Sequence, residues 1–260
     1  MPETLNHLIG KDWLLLRGLS RESEHWGGFP HQLKAAFPSA NIHCLDLPGT
    51  GYKLSEPSPK NIAAIVAQTR QQALELGLLN KPLTILGLSL GGMVTWQWLK
   101  DYPHDACAGV LINSSFANLN PFYQRLRWQV YPDFAQLLST SNPNQQEAAI
   151  VGLVSNLGSE QRSAIAAQWA EIRQRKPLSF LTAFNQIQAA ARFDSGSKPE
   201  QTVLIINSQA DRLVSPVCSQ NISQHYQLPI QSHPSAGHDL ALDDGTWLCQ
   251  CLKQWCEKQN

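Results

Sequence analysis

The stretch "LTILGLSLGGMVTWQWLKDY", residues 83–102, decides the fold. Its first six residues form an apolar run of strand length that ends in a small-residue corner. From Leu90 to Tyr102 the sequence reads as a helix. The corner itself, Gly87-Leu88-Ser89-Leu90-Gly91, fits G-x-S-x-G and lies between strand and helix, where that pattern has mechanical meaning. A serine so placed is forced into strained backbone that pushes its hydroxyl clear of the sheet. Glycine is needed at 87 and 91 because any side chain there would collide with neighbouring backbone. The N-terminal dipole of the following helix favours negative charge developing beside the serine. Ser89 is therefore the candidate nucleophile.

Outward from this corner, strands and helices alternate. Strands are expected at 12–16, 41–47, 108–113, 202–208 and 229–233, and helices at 26–37, 61–76, 215–225 and 244–257. In the second helix Ile62, Ile65, Val66, Thr69, Ala73 and Leu76 recur at helical spacing. Such alternation predicts an α/β fold, a mostly parallel sheet with helices on both faces. Residues 116–193 break the rhythm, with helical stretches near 121–138, 144–156, 159–175 and 178–192 and no clear strand. This block reads as a helical cap inserted over the carboxyl ends of the strands, where such sheets bind ligands. The core is then 1–115 and 194–260.

Composition narrows the function. Lys and Arg total 20, as do Asp and Glu, so no overall field attracts nucleic acid or an anionic membrane. No segment approaches the roughly 18 apolar residues of a membrane span. The opening "MPETLNHLIGKDW" lacks the basic start and apolar run of a secretory signal, which makes the cytoplasm the default expectation. The six cysteines show no C-x-x-C spacing. Cys249, Cys251 and Cys256 resemble a weak metal cluster, but Cys251 faces away from the other two on one helix, so buried free thiols and no metal are expected.

A serine hydroxyl needs a base, and the base an orienting acid. After Ser89 the histidines are 104, 225, 233 and 238. His238, in "SAGHDLAL", occupies a small-residue loop between the last strand and last helix and is the preferred base. His233, beside Pro234, suits a structural role. The acid should follow the strand 202–208, where "NSQADRLVSP" supplies Asp211, with Arg212 facing solvent. Asp194 precedes that strand, at the wrong end of the sheet. Asp239 adjoins His238, so its side chain would point elsewhere.

These pieces resemble the α/β-hydrolase superfamily over nearly the whole chain. "LDLPGTGYKLS" (45–55) is similar to its D-x-P-G-x-G-x-S loop, "SQADRLVSP" to its acid loop and "AGHDLALDD" to its G-H loop. Asp46, Pro48, Gly49 and Gly51 are then loop architecture. The inserted block suits the capped, carboxylesterase-like subgroup that includes the methyl-esterase of biotin synthesis. By resemblance the oxyanion donors are the Leu19 and Leu90 amides. Two departures stand out. The family's opening antiparallel hairpin has only eleven residues available before Asp12, so that edge should be shortened or missing. Its usual His-Gly pair is here Arg17-Gly18. Arg17 either braces the loop, against its carbonyls or Glu22 or Asp46, or binds a substrate carboxylate.

Aromatic Trp26, Phe116, Phe122, Tyr123, Trp128 and Trp169 are candidates to line an apolar acyl pocket or to pack cap on core. Arg125, Arg127, Arg162, Arg173, Arg175 and Arg192 form either a docking face for an acidic acyl-carrier protein or a solvated helix face. The expectation is a cofactor-free serine hydrolase of small-molecule carboxylic esters or thioesters. The alternatives are a carbon–carbon hydrolase, the cofactor-free lyase of menaquinone synthesis, or a non-catalytic small-ligand-binding protein of the same fold.

Overall fold

A computed structural model describes residues 9–259. Most of the stretch on which the absence of a secretory signal is read, residues 1–8, lies outside them. Six strands, β1 (Asp12–Leu16), β2 (Asn41–Leu45), β3 (Leu83–Leu88), β4 (Ala106–Ile112), β5 (Thr202–Ser208) and β6 (Ile230–His233), form one sheet in the order β2-β1-β3-β4-β5-β6. Every pairing is parallel. The chain leaves β1 outward to β2 and returns on the other side to β3. That reversal opens a crevice at the carboxyl ends of β1 and β3, the usual binding position in such sheets.

Strand alternation explains the two-sided core. Leu14, Leu16, Ile85, Leu111, Val203 and Ile205 belong to one apolar cluster, while Trp13, Leu15, Leu86, Val110, Leu204 and Ile206 belong to the other. Successive side chains point to opposite faces, so near-continuous apolar runs result from a sheet covered twice. The first face is covered by α2 (Ile62–Glu75), α3 (Leu90–Asp101) and α9 (Pro216–Tyr226), the second by α1 (Phe29–Ala36) and α10 (Leu240–Gln259). The five cysteines 107, 218, 249, 251 and 256 are buried and free. Burial pushes the Cys218 and Cys256 thiols up to about 12.

Between β4 and β5 lie α4 (Phe122–Arg125), α5 (Tyr131–Ser139), α6 (Pro143–Val154), α7 (Ser159–Arg175) and α8 (Phe180–Ala191). The single helix expected over 121–138 is divided. Pro132 sits in the first turn of α5, where its missing N–H is tolerated, and an interior position would break the helix. The last helix starts at Leu240, four residues earlier than its pattern suggests, with an irregular Asp244 (φ −152°) inside it. Asp239 accounts for the early start: its carbonyl accepts from the Leu242 and Asp243 amides at 3.1 and 3.0 Å. Among the described residues no strand precedes Asp12, and β2 forms that edge. No helix of theirs is long and apolar enough to cross a membrane.

Candidate active site

Ser89 stands at φ 57°, ψ −114°, in the left-handed region that costs a non-glycine residue about 1–3 kcal/mol. It is partly exposed between buried Leu88 and Leu90. Backbone bonds hold the corner: the Ser89 amide donates to Ile112 O at 2.8 Å, and its carbonyl accepts from Gly92 N at 3.0 Å. Ser114 Oγ donates to the same carbonyl at 2.9 Å. A Cβ on Gly87 would meet Gly91 O at 2.1 Å, and one on Gly91 would meet Leu16 O at 2.3 Å. The two glycines thus let the helix start against the end of β1. They also bring the loop after β1 to the serine, since a Cβ on Gly18 would lie 3.2 Å from Ser89 Cβ.

The base and acid candidates meet from different loops. His238 Nδ1 lies 2.7 Å from Asp211 Oδ2, and both residues are buried. Asp211 Oδ1 accepts from the Leu213 and Val214 amides at 2.8 and 2.9 Å, so the carboxylate is fixed by its own turn before it meets the ring. The inserted segment adds a bond from Arg127 Nη1 to Asp211 O at 2.7 Å. The other acids are occupied elsewhere. Asp194 is exposed and accepts from Gly196 N at 2.9 Å, while Asp239 turns towards Arg17. His104 and His225 are exposed. His233 is buried, with Nδ1 accepting from the Ser235 and Ala236 amides at 3.2 and 2.8 Å. Arg212, expected to face solvent, is exposed and yet donates to Gly152 O and Ser155 O at 2.6 and 2.8 Å, capping α6 through its free carbonyls.

One residue of this framework escapes sequence reasoning. Asn113, just past β4, has φ 48° and is buried. Its side-chain amide donates to His238 O at 2.8 Å and Ser208 Oγ at 3.0 Å, while its carbonyl accepts from Ser208 N at 2.8 Å. It ties the ends of β4 and β5 to the histidine loop. The only sequence signal is a polar "NSS" closing an apolar strand.

The oxyanion donors proposed by resemblance are both available. Leu19 N and Leu90 N meet no acceptor among the described residues, and Leu90 opens α3, where the amides are free. The loop is fixed from the insertion: Gln186 Oε1 accepts from Ser20 N at 2.8 Å. Arg17 is spent on a partner that sequence reasoning did not consider. Its Nη2 and Nη1 donate to Asp239 Oδ2 and Oδ1 at 2.6 and 3.3 Å, with both side chains 2% exposed. The expected partners differ: Glu22 pairs with Lys176, and Asp46 accepts from the Ser23 and Tyr52 amides. The Arg17–Asp239 bond joins the loop after β1 to the residue after His238. Breaking a buried pair leaves one charge uncompensated, so Arg17→Met or Asp239→Leu alone should cost about 3–5 kcal/mol, and the double substitution far less. Denaturant midpoints for the three proteins check this; additive losses would contradict it.

A cavity of about 570 Å³ contains Ser89, His238, Gly18 and Leu19 on the core side and residues of α6, α7 and α8 opposite. Its aromatic lining is Trp169, Phe180 and Phe184. Five aromatic pocket candidates are elsewhere. Trp26 is buried beneath Arg17, whose guanidinium lies 4.7 Å from its ring. Phe116 is fully buried against Trp96 and Phe193. Phe122, Tyr123 and Trp128 are 73%, 51% and 65% exposed and are not among the residues lining the cavity. Four of the six arginines of the insertion are engaged within the chain: Arg125 with Ala190 O, Arg127 with Asp211 O, Arg173 with Glu147 and Arg175 with Glu24.

The chain resembles known proteins in sequence and in fold. The profile of the alpha/beta hydrolase family matches residues 13–250. Over 120 residues the chain is 31% identical to the monoacylglycerol lipase ABHD6 of Mus musculus, covering 44% of this chain and 34% of that protein. The bovine counterpart is 30% identical over the same share. The match thus spans about a third of these relatives' length. Among solved structures, a thermophilic esterase from Thermogutta terrifontis superposes with a TM-score of 0.73 at 17% identity, covering 96% of this chain and 90% of that one. The esterase RhEst1 from Rhodococcus sp. ECU1013 does so with 0.72 at 15% identity, covering 96% and 92%. At such identities the likeness is one of fold.

Proposed function

Because the chain belongs to the alpha/beta hydrolase family, we propose that it is a serine hydrolase of carboxylic esters working through Ser89, His238 and Asp211. The observation that carries this reading is the 2.7 Å bond between His238 Nδ1 and Asp211 Oδ2 beside a cavity that also holds the strained Ser89. Bonding Nδ1 to a carboxylate leaves Nε2 as the base and stabilises the imidazolium that forms. Ser89 Oγ attacks the ester carbonyl as His238 takes its proton. The Leu19 and Leu90 amides receive the oxyanion, and the α3 dipole adds to them. Collapse expels the alcohol, which leaves with the proton from His238. Water then attacks the acyl-enzyme by the same route, releasing acid and free serine. No cofactor enters these steps.

The esterase and lipase names of the relatives and structural neighbours agree with this class. Hydrolysis of a series of nitrophenyl esters by the purified protein tests it, and no turnover of any member would oppose it. Chain-length preference should reside in the cavity wall. Trp169→Ala and Phe184→Ala are expected to shift the preferred acyl length, because each removes apolar surface worth about 25 cal/mol per Å². Phe122→Ala, Tyr123→Ala and Trp128→Ala should leave the profile unchanged. A shift in the outer three and none in the inner two would misplace the acyl site.

A further inference from the structure

One wall of the cavity carries more positive charge than its nearest acids neutralise. Arg21 and Arg173 both line it, and both reach the carboxylate of Glu147 in α6, which is fully buried. One carboxylate therefore serves two guanidinium groups, whereas Arg17 is matched by Asp239 alone. His25 supplies no anion. Its Nδ1 accepts from Glu22 N at 3.1 Å and its Nε2 lies 3.1 Å from Arg21 Nη1. Burial, and then the charges of Arg21 and Arg17, hold the ring neutral. Glu22 is paired with Lys176.

The guanidinium donors are only partly used. Arg21 directs Nη1 at Glu147 and His25, and Arg173 directs Nε at Glu147. Their remaining nitrogens have no partner among the described residues, and their side chains, 10% and 19% exposed, line the cavity. Arg21 also lies over the Trp169 ring, 5.0 Å from its centre, which fixes the fork at the edge of the apolar lining. A smaller adjoining cavity shares Arg21 and Arg173, so the pair stands where the two spaces meet. Burial itself works against the charge on Arg21, and Arg173 and Arg17 oppose the help from Glu147. A planar carboxylate matches such forks bidentately and supplies the single negative charge that this wall lacks.

We infer that Arg21 and Arg173 form a binding site for a substrate carboxylate, so that the preferred esters of this cavity also carry a free acid. The preference for esters rests on the hydrolase reading above; the carboxylate site does not. Arg17 also lines the cavity, but its fork is held bidentately by Asp239.

The test compares nitrophenyl hydrogen suberate with its methyl ester, two substrates of one chain length. Wild-type kcat/KM should favour the acid by about tenfold or more, the usual worth of a charge-assisted bond. Arg173→Gln should remove most of that ratio, and Arg173→Lys should keep part of it, having charge without the fork. Arg173 is the safer site, being 19% exposed in its side chain while Glu147 keeps Arg21. A wild-type ratio of one or less, or a ratio untouched by Arg173→Gln, overturns the site. If neither ester is cleaved, the hydrolase reading fails by itself, and calorimetry with suberate and dimethyl suberate decides the site. Suberate binding weakened about tenfold by Arg173→Gln supports it; equal binding of the diester, or indifference to the substitution, overturns it.

Discussion

Ser89→Ala is expected to lower ester turnover by about 10⁴-fold or more while leaving the fold intact. The second half of that expectation follows from the corner's geometry. Its conformation is held by Ser89 backbone bonds to Ile112 and Gly92 and by Ser114 Oγ, and none of these involves the Ser89 hydroxyl. The missing Cβ positions at Gly87 and Gly91 are likewise independent of it. Circular dichroism and thermal melting should therefore match wild type while kcat collapses. A folded variant that keeps most of its turnover would remove Ser89 from the chemistry.

Asp211→Asn and His238→Ala should each approach the same loss, chiefly in kcat. An asparagine at 211 can still accept from the Leu213 and Val214 amides, so its loop should survive. What disappears is the carboxylate that selects the tautomer of His238, for which a loss of about 10⁴-fold has precedent in this constellation. Asp194→Asn and His233→Ala are the matched controls. Asp194 serves an exposed turn through Gly196 N, and His233 serves one through the Ser235 and Ala236 amides. His233→Ala should lower stability more than kcat. Collapse of kcat in Asp194→Asn, with Asp211→Asn active, would reassign the acid.

The parallel sheet was legible because its strands are buried on both faces and its corner has a fixed motif. A strand between two helical layers needs an apolar run, and Leu83–Leu88 supplies one with Thr84 as its single polar residue, its hydroxyl accepting from Gly10 N. The glycines at 87 and 91 follow from backbone contacts that every such corner makes. Asp211 and His238 were legible from the loops that hold them. The cavity was not. Trp26 and Phe116 share their apolar character with true lining residues, and only the packing places them in the core. Phe122, Tyr123 and Trp128 were candidates only because they are aromatic and lie in the inserted block, and nothing local in the sequence distinguishes a residue exposed there from one that lines the cavity. Arg17 was ambiguous for another reason: Asp239 lies 222 positions away in sequence, and no local pattern announces such a pair. The sharing of Glu147 by Arg21 and Arg173 is equally non-local.

The central claim is that one serine becomes acylated. Incubation with a fluorophosphonate, followed by peptide mapping in a mass spectrometer, tests it without knowledge of the natural substrate. The adduct should fall on Ser89 alone, should be absent from Ser89→Ala, and should form far more slowly in His238→Ala, where no base takes the proton. Labelling at another residue, or equal labelling of Ser89→Ala, would contradict the account.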